Sequence, residues 1–182
     1  MPIAREDFAL VKKVKSGDKN AFCELVEKYK ERVYFVAYRM TSNHADADDL
    51  SQEAFIKAYQ SIGSFREKSS FFTWLYRITI NITINHLKKF GRNRPFELDE
   101  NIRIANDPDS PEKTAQRREL HEQITKAINS LPPKERAVVE LAILEDLPHK
   151  QVAQILGCME KTVSWRLFRA RKKLKEKLSL YV

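Results

Sequence analysis

Apolar residues recur at helical spacing along most of the chain. In the first quarter, FALVKKVKS and AFCELVEKYKERVYFVAYRM are joined by Gly17-Asp18, and Phe22, Leu25, Val26, Tyr29, Val33 and Val36 keep the i, i+3, i+4, i+7 period of a buried stripe. A further helix is predicted from about Ala45 to Tyr59. Its inner side is Ala47, Leu50, Ala54, Phe55 and Ala58, whereas Asp49, Gln52, Glu53, Ile56 and Gln60 gather on the outer side. From about Phe71 the pattern changes. Leu75, Ile78 and Ile82 form one apolar side and Tyr76, Ile80 and Ile84 another, which leaves only Arg77, Asn81 and Lys88 as a polar strip with Trp74 at its border.

Periodicity then lapses over FELDENIRIANDPDSPE, where prolines, acids and small polar residues have the composition of a flexible tether. Beyond it, punctuation divides the chain from Leu131 onward into helices. Pro132 and Pro133 suit the first turn of a helix running to about Glu145, and Pro148 opens a second that stops at Gly157. The segment Gly157-Cys158-Met159-Glu160 has the length of a helix-turn-helix connection, and the helix after it runs from Lys161 to about Leu178. On that last helix Val163, Leu167, Ala170, Leu174 and Leu178 fall on one side, while Trp165, Phe168, Arg169, Lys172 and Lys175 fall opposite. The expected architecture is all-α: two small helical domains, 1–95 and 113–182, joined by a flexible acidic linker over 96–112.

Charge sharpens this division. The 182 residues carry 33 Lys+Arg against 25 Asp+Glu, a formal +8. The first domain has 17 basic and 11 acidic residues, the linker one and six, the second domain 15 and eight. Two basic bodies flanking an acidic connector point to an anionic partner. With only four glycines the chain has little material for hairpins. No apolar run approaches the roughly 18 residues that span a bilayer, and MPIAREDFAL lacks the apolar core of a secretory leader, so a cytoplasmic protein without membrane insertion is expected. Cys23 and Cys158 lack metal or disulfide spacing and are expected as small apolar fillers. His44, His86, His121 and His149 are scattered, and no nucleophilic triad or glycine-rich phosphate loop accompanies them. Asp46, Asp49 and Glu53 recur at i, i+3 and i+7, but hard-metal catalysis needs carboxylates converging from several elements. No enzyme activity, cofactor or metal is expected.

Three surfaces carry the binding chemistry. An arginine-rich helix with outward aromatics suits a major groove, with Trp165 and Arg169 as base readers and Ser164, Arg166, Arg171 and Lys173 flanking them. Lys161 and Thr162 open that helix, where the dipole favours a phosphate, and Lys150, Lys172 and Lys173 suit the DNA backbone. The second surface lies in SFREKSSFFTWLYRITINITINHLKKFGRNR, where Trp74 and Phe65 are the aromatics least tied to a core and a basic strip runs beside them. That combination suits single-strand capture. The third is the outer side of the Ala45–Tyr59 helix, an isoleucine ringed by acids and amides, which suits a protein rather than phosphates.

The succession GDKNAF, DADDLSQEAFIKAY, SFREKSSFFTWLYRITIN, a short tether and a basic helix-turn-helix resembles the extracytoplasmic-function sigma factors of bacterial RNA polymerase, especially the sigma-E group, over nearly the whole chain. The resemblance implies a region 2 bundle followed by a region 4 helix-turn-helix. It implies docking on core RNA polymerase through Asp49, Gln52, Glu53 and Ile56, with a flipped base of the minus-ten element captured around Phe65, Arg66 and Lys68. Trp74, Arg77 and Asn81 would lie along that strand, and Arg166, Phe168, Arg169 and Arg171 would read the minus-thirty-five duplex. It further implies an anti-sigma factor as partner and a role in an envelope or stress response. Two departures stand out: Ser164-Trp165 replaces the arginine-serine frequent in relatives, and Pro148-His149-Lys150 replaces a Ser-x-Glu-Glu opening. Trp165 is thereby expected to touch a thymine methyl. The competing reading is a helix-turn-helix regulator that acts without docking on the polymerase.

Overall fold

The computed structural model describes residues 3–90 and 111–179, with side chains over 6–90 and 118–179. Its described elements are helical: α1 Ile3–Lys15, α2 Lys19–Thr41, α3 His44–Ser61, a single 3-10 turn Ile62–Ser64, α4 Phe71–Phe90, α5 Pro111–Asn129, α6 Pro133–Val139 widening into a π turn Glu140–Leu144, α7 His149–Leu156 and α8 Glu160–Lys177. The expected linker lies outside the described residues except for its last two positions, which open α5. That helix was not resolved by the sequence pattern.

Local chemistry sets the helix ends. Asp18 caps α2, its Oδ1 accepting the Asn20 and Ala21 N–H groups at 2.9 and 3.3 Å. Asn43 does the same for α3 by accepting the Asp46 N–H at 2.8 Å. Gly157 closes α7 at φ 60°, a left-handed conformation that glycine adopts without strain. Pro148 precedes α7 and Met159 precedes α8, so the helix-turn-helix connection is Gly157-Cys158-Met159.

Helix α4 divides the interior. Leu75 and Ile82 belong to a first core with Leu25, Tyr29 and Val33 of α2, Leu50 and Ala54 of α3, and Val11 of α1. Tyr76, Ile80 and Ile84 belong to a second core with Val36 and Met40 of α2 and with Val138, Leu141, Val152, Ile155, Val163 and Leu167 of the C-terminal helices. The two sides read from the sequence are therefore both buried, and the second is covered by the other half of the chain.

Charged residues stitch this junction. Arg39 on α2 donates from Nε to Glu140 Oε1 at 2.7 Å and from Nη2 to Glu145. Glu145 also accepts from Tyr76 Oη at 3.2 Å and from Arg32 at 3.3 Å. Arg136 reaches back from α6 and donates to the Met40 carbonyl at 2.6 Å, at the C-terminal end of α2 where a cation is favoured. Its burial pulls that guanidinium down to about 10, still protonated at neutral pH.

Glu140 is 2% exposed, and burial pushes its carboxyl up to about 7 against the lowering pull of Arg39. The unfolded chain releases this proton near pH 4.3–4.5. The folded state therefore has its full Glu140 contribution below that range and loses it progressively as pH rises to about 7. Between pH 5 and 8, urea unfolding should show wild type losing on the order of 2–3 kcal/mol relative to Glu140→Gln. A wild-type-minus-Gln difference that stays flat with pH would exclude this.

Candidate nucleic-acid and protein interfaces

Burial of Ala47, Leu50, Ala54 and Ala58 turns the opposite side of α3 to solvent. Asp49, Gln52 and Ile56 are exposed there, Ile56 at 56%, and Glu53 is partly exposed and paired with Lys57. Ile56 also borders a shallow groove with Phe22, Phe55 and Tyr59 between the start of α2 and the end of α3. Asp46 on the same helix is buried, with Oδ2 3.1 Å from His86 Nε2. Burial keeps His86 below its ordinary range, opposed by the nearby carboxylates of Glu53 and Asp49. Among the described residues no group of three or more His, Cys, Asp or Glu could hold a metal.

The loop entering α4 carries Arg66 and Lys68 to solvent. Phe65 departs from expectation. It is 3% exposed, with its ring 6.1 Å from Phe8, 6.1 Å from Phe71 and 5.2 Å from Trp74. Lys15 Nζ donates to the Phe65 carbonyl at 2.6 Å and closes the loop over the core. In this arrangement Phe65 is a packing residue rather than a base contact, because aromatic burial outweighs the polarity of its neighbours. Trp74 is half-buried, while Arg77 and Asn81 are exposed.

Lys68, Trp74 and Arg77 form one wall of a cleft whose other wall is Lys150, Gln154 and Lys161. Glu160 is the acid within it. The contact is close: Arg77 Nη2 lies 3.4 Å from where a side chain would begin on Gly157, and Gln151 Nε2 donates to Thr73 Oγ1 at 3.2 Å. Residues expected to meet two separate DNA segments thus share one basic cleft.

On α8 the buried stripe is Val163, Leu167 and Ala170, with Leu174 and Leu178 half-buried. Trp165 and Phe168 stand outward at 54% and 68% exposure, beside exposed Arg169, Arg171 and Lys172. Lys161 is exposed and Thr162 half-buried in the first turn. Ser164 Oγ lies 3.2 Å from His149 Nδ1, joining α8 to the start of α7. Arg166 is half-buried and turns toward the Cys158 sulfur at 3.9 Å, away from the outward aromatics. Two residues at this surface had no sequence signal: Glu135, a buried acid beneath Arg169 and Lys173, and Met159, 72% exposed in the turn. Cys158 is half-buried, whereas Cys23 is exposed and so is not the filler expected.

Residues 25–93 match the family Sigma-70 region 2, and residues 121–174 match Sigma-70, region 4. The chain belongs to the ECF sigma factors. The RNA polymerase sigma-H factor of Pseudomonas aeruginosa is 38% identical, with 95% of this chain and 94% of that protein aligned. The ECF RNA polymerase sigma-E factor of Haemophilus influenzae is 39% identical over 94% and 95%, and that of Escherichia coli K12 is 36% identical over 94% of each. Among solved structures, CnrH in complex with the cytosolic domain of CnrY aligns with a TM-score of 0.72 at 25% identity, covering 97% of this chain and 99% of that one. The Bartonella quintana sigma factor RpoE, solved with the anti-sigma factor NepR, shares the fold at TM-score 0.66 and 24% identity, covering 88% and 98%. In this sigma factor α2 through α4 carry most of the region 2 match, and α5 through α8 the region 4 match. Sigma factors are initiation factors rather than enzymes, and among the described residues no helix is long and apolar enough to cross a membrane.

The burial of Phe65 has a direct consequence. Phe65→Ala should lower unfolding free energy by about 3–4 kcal/mol, whereas Arg66→Ala and Lys68→Ala should stay within about 0.5 kcal/mol of wild type. Chemical denaturation of the three variants checks this; a Phe65→Ala variant as stable as Arg66→Ala would place the ring outside the core.

Proposed function

We propose that this sigma factor docks on core RNA polymerase through Asp49, Gln52, Glu53 and Ile56 and directs initiation at promoters in an envelope or stress response. The observation that carries the reading is the outer face of α3. On a chain of net charge +8, an isoleucine 56% exposed among acids and amides disfavours phosphate and favours protein. The organisation is region 2 over 1–95, linker over 96–112 and region 4 over 113–182. The protein works in the cytoplasm, is not an enzyme, and has an anti-sigma factor as a further partner.

The DNA roles divide by chemistry. Exposed Arg66, Lys68, Arg77 and Asn81, with the edge of Trp74, hold the separated minus-ten strand, and α8 lies in the minus-thirty-five duplex. Unstacking a base costs a few kcal/mol, so strand capture needs the polymerase to hold the opened DNA. The two elements lie about 25 base pairs apart, roughly 85 Å at 3.4 Å per pair, while Arg77 Nη2 lies 3.4 Å from where a side chain would begin on Gly157. Initiation therefore requires the two halves to separate at the α4–α7 contact.

Two experiments test this. Asp49→Lys combined with Glu53→Lys should reduce co-purification with sigma-free core polymerase at least tenfold and abolish specific initiation in vitro, with thermal unfolding changed little because Asp49 is exposed and only the surface Glu53–Lys57 pair is lost. Retained initiation would refute the docking face. Specific initiation by the wild-type chain with core alone also separates this reading from a regulator that needs another sigma. In a Cys23→Ser, Cys158→Ser background, Thr73→Cys and Gln151→Cys bridged by a reducible bis-thiol crosslinker should block initiation, and reduction should restore it. Undiminished initiation by the crosslinked form would refute separation.

A further inference from the structure

The geometry points to Glu135 and Trp165 as positioning residues that together select which edge of the Arg169 guanidinium faces the DNA bases. This rests on the reading of α8 as the duplex-reading helix. A guanidinium has two ways to pair with the O6 and N7 acceptors of guanine. It can present its end, Nη1 with Nη2, or its side, Nε with one Nη. An exposed arginine on a helix is free to sample both.

Here a buried carboxylate faces that side. Glu135 Oε1 lies 3.5 Å from Arg169 Nε, an ion-pair separation, and the carboxylate is itself 5% exposed. Its other oxygen accepts from Lys173 Nζ at 2.7 Å, so the acceptor is anchored from two directions on a different helix, α6. One face of the guanidinium is covered. Its Cζ lies 4.7 Å from the centre of the Trp165 ring, one helical turn earlier at i−4. With one edge facing Glu135 and one face against Trp165, the Nη1–Nη2 end is the edge left to pair with a base. The tryptophan that replaces the usual serine thus acts as a platform for arginine, where the sequence alone suggested a thymine-methyl contact. Glu135 lies too deep to touch DNA and acts only through Arg169 and Lys173.

Holoenzyme assembled from core polymerase and each variant would be used to select transcribed sequences from a promoter library randomised in the upstream element. Arg169→Ala should lose preference for guanine at one position. Glu135→Gln, which keeps shape while removing charge, and Trp165→Ser should each weaken that same preference about five- to tenfold. Neither should change it further when combined with Arg169→Ala. Lys172→Ala, an exposed lysine outside this pairing, should lower output on all sequences evenly, as a backbone contact does. If Glu135→Gln and Trp165→Ser keep the wild-type preference there while Arg169→Ala loses it, the positioning is overturned and the reading of α8 stands. Loss of a thymine preference at a neighbouring position in Trp165→Ser, with guanine preference intact, overturns the platform in favour of the methyl contact. If Arg169→Ala leaves every preference unchanged, the reading of α8 fails and takes the proposal with it. Trp165 is exposed, so its variant carries the test even if Glu135→Gln is poorly folded.

Discussion

A helix with two apolar sides must be covered twice, and the arrangement of this sigma factor follows from how α4 meets that demand. Leu75 and Ile82 are covered by α1, α2 and α3, while Tyr76, Ile80 and Ile84 are covered by α6, α7 and α8. Neither group of helices buries α4 alone. The N-terminal bundle would expose an apolar side by itself, which water opposes. The same contact brings the helix-turn-helix against the N-terminal half of α4, where Arg77 Nη2 lies 3.4 Å from where a side chain would begin on Gly157.

The boundary between the two cores is not purely apolar. Arg39, Glu140, Glu145, Tyr76 and Arg32 form a connected polar cluster there, and Arg136 spans to the end of α2. Charged groups at a buried junction add less net stability than apolar packing, because each loses its hydration. They also make the junction a poor resting surface when unpaired, which favours either full closure or full hydration over intermediate positions. The outward aromatics of α8 contrast with this. Trp165 and Phe168 remain exposed in this arrangement, so packing of α7 against α4 leaves the outward side of α8 open.

Much of this was legible because periodicity reports local geometry. The two apolar sides of α4, the inner alanines of α3 and the opposed faces of α8 all follow from spacing alone. Phe65 was not legible. It stands in a polar loop with no periodic neighbour, and its burial comes from Phe8 and Trp74, which reach it from other helices. The buried charges were hidden for a similar reason: Arg39 and Glu140 are 101 positions apart, and nothing near either announces the pairing. Cys23 was misread because side-chain size suggested a core role, whereas the side of α2 left uncovered decides its exposure. Helix α5 escaped notice because its apolar residues are sparse between charges. At the interfaces, the composition of each surface was readable, but which arginines lie outward was not: Arg166 bends toward Cys158 while Arg169 stays with Trp165.

The π turn at Glu140–Leu144 sets a rule about chain length. In an uninterrupted α-helix, residues five apart diverge by about 140° around the axis, and Glu140 and Glu145 would face different neighbours. The wider i→i+5 loop, closed by the Glu145 N–H on the Glu140 carbonyl at 2.9 Å, brings the pair into phase on Arg39. That single surplus residue is the register pin between the halves of the molecule, so homologous recombination or grafting across this stretch has to conserve the number of residues as strictly as their identity.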